Sequence, residues 1–77
     1  MFYLLLVQKF NNETTAKALY EYPTMDDAKR ALFSEMFSGM SKQNMTAIMC
    51  EIINESGSVL KHERWERVPE SVVGTEN

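Results

Sequence analysis

Apolar and polar positions follow a period of two along most of this chain, interrupted once by a helical period. The first run, Phe2 to Phe10, is apolar on both alternating faces: Tyr3, Leu5 and Val7 point one way, Phe2, Leu4 and Leu6 the other. A strand with two apolar faces needs cover on both sides. Asn11-Asn12-Glu13-Thr14 is turn chemistry, because asparagine tolerates the left-handed region. Thr15 to Tyr22 predicts a second strand, with Ala16, Ala18, Tyr20 and Tyr22 on one face and Lys17 and Glu21 opposite. The two strands read as a hairpin.

Pro23 closes the second strand and Thr24 is a helix N-cap, with Asp26 and Asp27 favourably placed at the positive end of the dipole. Thr24 with Asp27 approximates a capping box. Ala28, Leu32 and Met36 form one ridge of the predicted helix, flanked by Ala31, and Phe33, Phe37 and Met40 widen the stripe. Asp26 and Arg30 are spaced to pair across one turn, and Gly39 is the expected stop, with the helix ending near Ser38. A linker, Ser41 to Asn44, leads to a third strand, Met45 to Ile53. It is again apolar on both faces: Thr46, Ile48, Cys50 and Ile52 on one, Ala47, Met49 and Ile53 on the other. Asn54-Glu55-Ser56-Gly57 suits a type I turn with a bulge. The fourth strand, Ser58 to about Val68, is more polar and ends at Pro69, leaving Glu70 to Asn77 as an expected mobile tail.

The order ββαββ predicts an α+β fold. A right-handed crossover from the second strand to the third steps over the first, giving an antiparallel sheet of order 2-1-3-4 with one helix on one face. Residues 1–69 form the expected single domain and 70–77 the tail. One helix covers one face, so the other is open, and a homodimer or higher oligomer, or a partner protein, is the expected cover, the alternative being a monomer whose second face is covered by the C-terminal tail. Tyr3, Leu5, Val7, Ile48, Cys50 and Ile52 are the candidate interface residues.

Composition narrows the setting. The chain has 77 residues, 44% hydrophobic and 25% charged, as a globular domain does, and a formal net charge of −3. That balance argues against binding a nucleic-acid polymer, which needs a broad basic field. Cys50 is the single cysteine, so no intrachain disulfide forms and a reducing cytoplasm is the expected compartment. The N-terminal apolar run lacks the basic flank and small-residue cleavage site of a signal peptide. It is also far shorter than the roughly 20 residues that span a bilayer.

Polar chemistry concentrates in Lys61-His62-Glu63-Arg64-Trp65-Glu66-Arg67. Arginine forks grip phosphate or carboxylate and indole stacks on a base, so Lys61, His62, Arg64, Trp65 and Arg67 are the candidate ligand-binding residues. The competing reading is an edge strand guarded by its charges, with Trp65 over the core. His62 is the only histidine, which weakens an enzymatic reading, and a dyad with Cys50 is disfavoured because that thiol falls in an apolar strand. One Cys and one His do not make a structural zinc site, and the isolated glycines form no phosphate loop. No metal or other cofactor is expected. Tyr20 and Tyr22 suit packing under the helix better than stacking on a ligand.

Phe2-Tyr3 through Val7-Gln8-Lys9, Tyr20-x-Tyr22-x-Thr24-x-x-x-Ala28, Met49-Cys50 and Glu63-x-Trp65-Glu66-Arg67 together give a pattern spanning residues 1–67. It resembles small phage and prophage proteins of gut-associated Clostridia. The shared motifs are structural, so no catalytic or binding residue carries over. The resemblance implies a non-enzymatic binding protein that antagonises a host defence pathway by sequestering a nucleotide signal or a defence protein. The alternative is a phage assembly accessory or a protein–protein interaction module.

Overall fold

The computed structural model of this chain describes residues 1–67. Strands β1 (Phe2–Phe10) and β2 (Thr15–Tyr22) precede helix α1 (Met25–Ser41), followed by β3 (Met45–Asn54) and β4 (Val59–Glu66). They form one four-stranded antiparallel sheet of order β2-β1-β3-β4. The α+β expectation and its strand order therefore hold, and the two greasiest strands lie in the centre. The expected end of β4 at Val68 and the tail 70–77 fall outside the described residues.

Both hairpins use one loop geometry. Phe10 N–H donates to the Thr14 carbonyl at 3.0 Å and Glu13 N–H to the Phe10 carbonyl at 3.0 Å. Asn54 N–H donates to the Ser58 carbonyl at 3.1 Å and Gly57 N–H to the Asn54 carbonyl at 2.9 Å. This is a type I turn closed by a bulge whose first residue is left-handed. Gly57 takes that place at φ 87°, as its sequence position predicts, while Glu13 takes it at φ 67° in the first hairpin. Neither asparagine there adopts it. Asn12 serves instead as an acceptor for Thr14 N–H at 3.2 Å and Thr14 Oγ1 at 2.6 Å.

Thr24 caps the helix as expected, its hydroxyl accepting from Asp27 N–H at 3.1 Å. Three details differ. Arg30 pairs with Asp27 at 3.4 Å, not with Asp26. Phe33, Phe37 and Met40 are exposed, because α1 lies chiefly over β3 and β1 and this stripe turns away from that contact. Finally, Gly39 does not end the helix, which continues to Ser41 and is capped where Lys42 N–H reaches the Gly39 carbonyl at 3.1 Å. Gly39 is buried, and a Cβ there would lie 2.8 Å from Met45 Sδ and 2.9 Å from Ile48 Cδ1. Close approach to β3, and not backbone conformation, is what requires glycine.

The core sits between α1 and one face of the sheet. Leu4, Leu6, Ala28, Leu32, Met45, Ile48, Cys50 and Ile52 are buried, with Phe2, Phe10, Ala18, Tyr22, Met36 and Trp65 packed around them. Each fully buried leucine or isoleucine contributes about 1.5–3 kcal/mol relative to exposure.

Candidate functional site

Ladder pairing settles which residues share the sheet face that α1 leaves open. Tyr3 is opposite Ile53, Leu5 opposite Glu51, Val7 opposite Met49 and Lys9 opposite Ala47. On the β2 side, Glu21, Leu19, Lys17 and Thr15 continue those rows. On the β4 side, His62 stands beside Glu51, Arg64 beside Met49 and Glu66 beside Ala47. The result is an apolar band interrupted by Glu51, with charged residues on both outer strands.

The six candidate interface residues do not form one surface. Tyr3, Leu5 and Val7 line the open face, but Ile48, Cys50 and Ile52 lie under the helix and are buried. Pairing of Leu6 with Cys50 and Leu4 with Ile52 puts them in phase with the covered side of β1. The open-face partners on β3 are Ala47, Met49, Glu51 and Ile53.

The five candidate ligand residues are divided as well. Lys61 and Trp65 pair with Ile52 and Ile48 and so belong to the helix side. There Lys61 Nζ sits 5.2 Å from the Phe33 ring centroid and 3.3 Å from Glu63 Oε2. Trp65 packs against the core rim, and the Arg67 guanidinium stacks on its ring at 5.0 Å. Arg67 also donates from Nε to the Met45 carbonyl at 3.1 Å and from Nη2 to the Lys42 carbonyl at 2.8 Å. These two bonds tie the end of β4 to the helix exit, so Trp65 and Arg67 stand on the helix side, away from His62 and Arg64.

His62 and Arg64 remain on the open face. His62 Nδ1 lies 2.9 Å from Glu51 Oε2, and Arg64 Nη2 lies 2.9 Å from Glu66 Oε1. A solvent-open hollow of about 430 Å³ is lined by Val7, Lys9, Thr15, Ala47, Met49, His62, Arg64 and Glu66, with Ile48 and Trp65 also bordering it. Its lining combines apolar residues with Lys9, His62, Arg64 and Glu66, Arg64 being paired with Glu66 at 2.9 Å. Lys9 is the residue that sequence reasoning passed over. Its odd position, in phase with Leu5 and Val7, was the available signal.

Cys50 and His62 are on opposite faces of the sheet, so the dyad geometry does not exist. Burial pushes the Cys50 thiol up to about 11, with Glu35 adding to the shift, which keeps the nucleophilic thiolate unpopulated at neutral pH. Tyr22, under the helix, is also raised, by burial first and then by Glu35 and Tyr20. No group of three or more Cys, His, Asp or Glu residues placed to hold a metal occurs among the described residues. No helix among them is long and apolar enough to cross a membrane.

No family model, curated protein or solved structure matches the chain.

Proposed function

We propose that this chain is a non-enzymatic binding protein and that the open face of its sheet is where it binds. One observation carries the reading: Tyr3, Leu5, Val7, Met49 and Ile53 line, in register and with Glu51 set among them, a sheet face that no helix among the described residues covers. Contiguous apolar surface with a charged border is the usual composition of a protein-binding patch. In the phage setting that the sequence pattern resembles, the occupant is a host defence protein, and occupying it blocks the defence. Capture of a nucleotide signal is the second reading, favoured by the hollow where Lys9, His62 and Arg64 border an apolar floor.

The test is phage growth on a defended bacterial host expressing the protein. Val7→Glu and Met49→Glu place charge in the middle of the band at positions the core does not use. Loss of the protein's effect, with an unchanged circular dichroism spectrum and melting point, supports binding through this face. Full activity of both variants sinks it. Native mass spectrometry separates the two readings: a co-purifying nucleotide that disappears in Lys9→Ala/Arg64→Ala identifies ligand capture.

A further inference from the structure

The sheet has two edges, and only one is guarded. β4 carries Lys61, His62, Glu63, Arg64 and Glu66 along its length and has a register break between Ile52 and Ile53 of its partner. Charges and irregularities of that kind discourage further pairing. β2 is regular over its 8 residues, Thr15–Tyr22, with no break in its ladder to β1. Almost all of it is exposed, with Leu19 at 61% and Tyr20 at 43%.

The hydrogen-bond phase shows what this edge offers. Phe10 directs both its N–H and its carbonyl at the β2 side of the hairpin. Alternation along an antiparallel ladder then turns Leu4 and Leu6 toward β2, and Tyr20 and Ala18, their partners, toward β1. By the same alternation, the backbone groups of Thr15, Lys17, Leu19 and Glu21 point away from the sheet.

We infer that two copies of this chain pair antiparallel through β2, about a two-fold axis at Leu19, joining their sheets into one. The sequence of the strand is self-complementary in that register. Lys17 stands opposite the partner's Glu21, and Glu21 opposite the partner's Lys17, on either side of the Leu19 pair. On the helix side, Ala18 meets the partner's Tyr20 and Ala16 meets the partner's Tyr22, so small residues face large ones throughout. Moving the axis to Lys17 or Glu21 sets like charges opposite each other, and moving it to Ala18 or Tyr20 leaves both charges without an opposite partner. The free backbone groups coincide with this register, since Lys17, Leu19 and Glu21 are the residues whose N–H and carbonyl point outward. Both open faces then lie on the same side of the joined sheet. This interface is separate from the open-face binding proposed above, and neither depends on the other.

Sedimentation velocity across a concentration series tests the pairing. The wild-type chain is expected to be a concentration-dependent dimer. Lys17→Glu and Glu21→Lys each put like charges opposite at two symmetric places, raising the dissociation constant about tenfold or more. An equimolar mixture of those two variants is expected to form a heterodimer, because each then carries only one sign of charge at these positions. The doubly exchanged chain recovers the homodimer. Leu19→Pro removes an outward-pointing amide without touching the ladder to β1, and gives a folded monomer. A wild-type chain that stays monomeric throughout overturns the inference. So does a dimer indifferent to Lys17→Glu and Glu21→Lys, or one that Val7→Glu on the open face disrupts while they do not.

Discussion

On the helix side of the sheet, Leu4, Leu6, Ile48, Cys50 and Ile52 are sealed against Ala28 and Leu32. On the other side, Tyr3, Leu5, Val7, Met49 and Ile53 come from the same two strands, one residue out of phase, and no helix among the described residues lies over them. The two sets are nearly alike in composition and differ in what surrounds them. Residue type alone therefore does not mark the folding core of this molecule, since half of its greasiest strand positions serve no contact within the chain's helix-covered core. The comparison predicts that equal truncations on the two faces have unequal consequences.

The largest expected effect is on the covered side. Ile52→Ala or Leu32→Ala removes a side chain that is fully buried and leaves a cavity, at a cost of about 2–5 kcal/mol. For a domain of this size that approaches the whole folding free energy. Leu5→Ala, on the open face, is expected to cost less, about 1–2 kcal/mol, because Leu5 is only partly buried and its truncation leaves no enclosed cavity. Urea denaturation of the three variants reads both numbers. Equal losses would mean that the open face is covered within the single chain.

Gly39 gives the next effect. Gly39→Ala places a methyl group against Met45 Sδ and Ile48 Cδ1, both of them on buried residues. Overpacking of this kind costs about 1–3 kcal/mol, offset by up to about 1 kcal/mol of improved helix propensity. A net loss seen by thermal unfolding places the helix at its observed distance from β3. A net gain would show that Met45 and Ile48 move aside freely.

These two sites also show why one part of the architecture was legible in the sequence and another was not. Period-two alternation, Pro23, Thr24 and the Asn54–Gly57 loop placed all five elements, and β1 and β2 to the residue. Alternation divides each strand into two sets, but it does not say which set of β1 shares a face with which set of β3. Those strands are separated by the 17-residue helix, so no turn fixes their register, and Ile48, Cys50 and Ile52 were grouped with Leu5. Glu51 carried the missing signal: in phase with Ala47, Met49 and Ile53, it turns that set away from the core. The role of Gly39 and the left-handed conformation of Glu13 are not legible in the sequence for a related reason. The close approach at one depends on a side chain from another element, and the left-handed conformation of the other is imposed by a hairpin whose register is already set.

Cys50 separates the faces by pH. Its thiol is pushed from 9.0 up to about 11 in the folded chain, while in the unfolded chain it ionises at its ordinary value. Above pH 9 the unfolded state loses this proton and the native state keeps it, so stability falls as pH rises toward 11. Below that window the group contributes no pH dependence. The expected loss is on the order of 2 kcal/mol, read as the difference between wild type and Cys50→Val. That variant also removes the thiol without introducing a polar group into the core. Identical slopes in the two proteins would show that Cys50 reaches solvent.

The smallest effect concerns the contact between Glu51 and His62 on the open face. Glu51 and His62 meet at 2.9 Å with side chains still 25% and 45% exposed. Water screens such a pair, so a double-mutant cycle with Glu51→Gln and His62→Ala should return a coupling of about 0.2–1 kcal/mol. Replacing the pair by Leu and Val should accordingly leave folding stability within about 1 kcal/mol of wild type while making the apolar band continuous across the sheet. In the buried centre of the covered face, at Ile48, Cys50 or Ile52, an introduced charge would be unpaired and away from water, and so strongly destabilising. If the apolar replacement instead destabilises the fold by several kcal/mol, the open face is under the same packing constraint as the core. If it leaves the fold intact but increases self-association, Glu51 and His62 limit the pairing of this face with other copies.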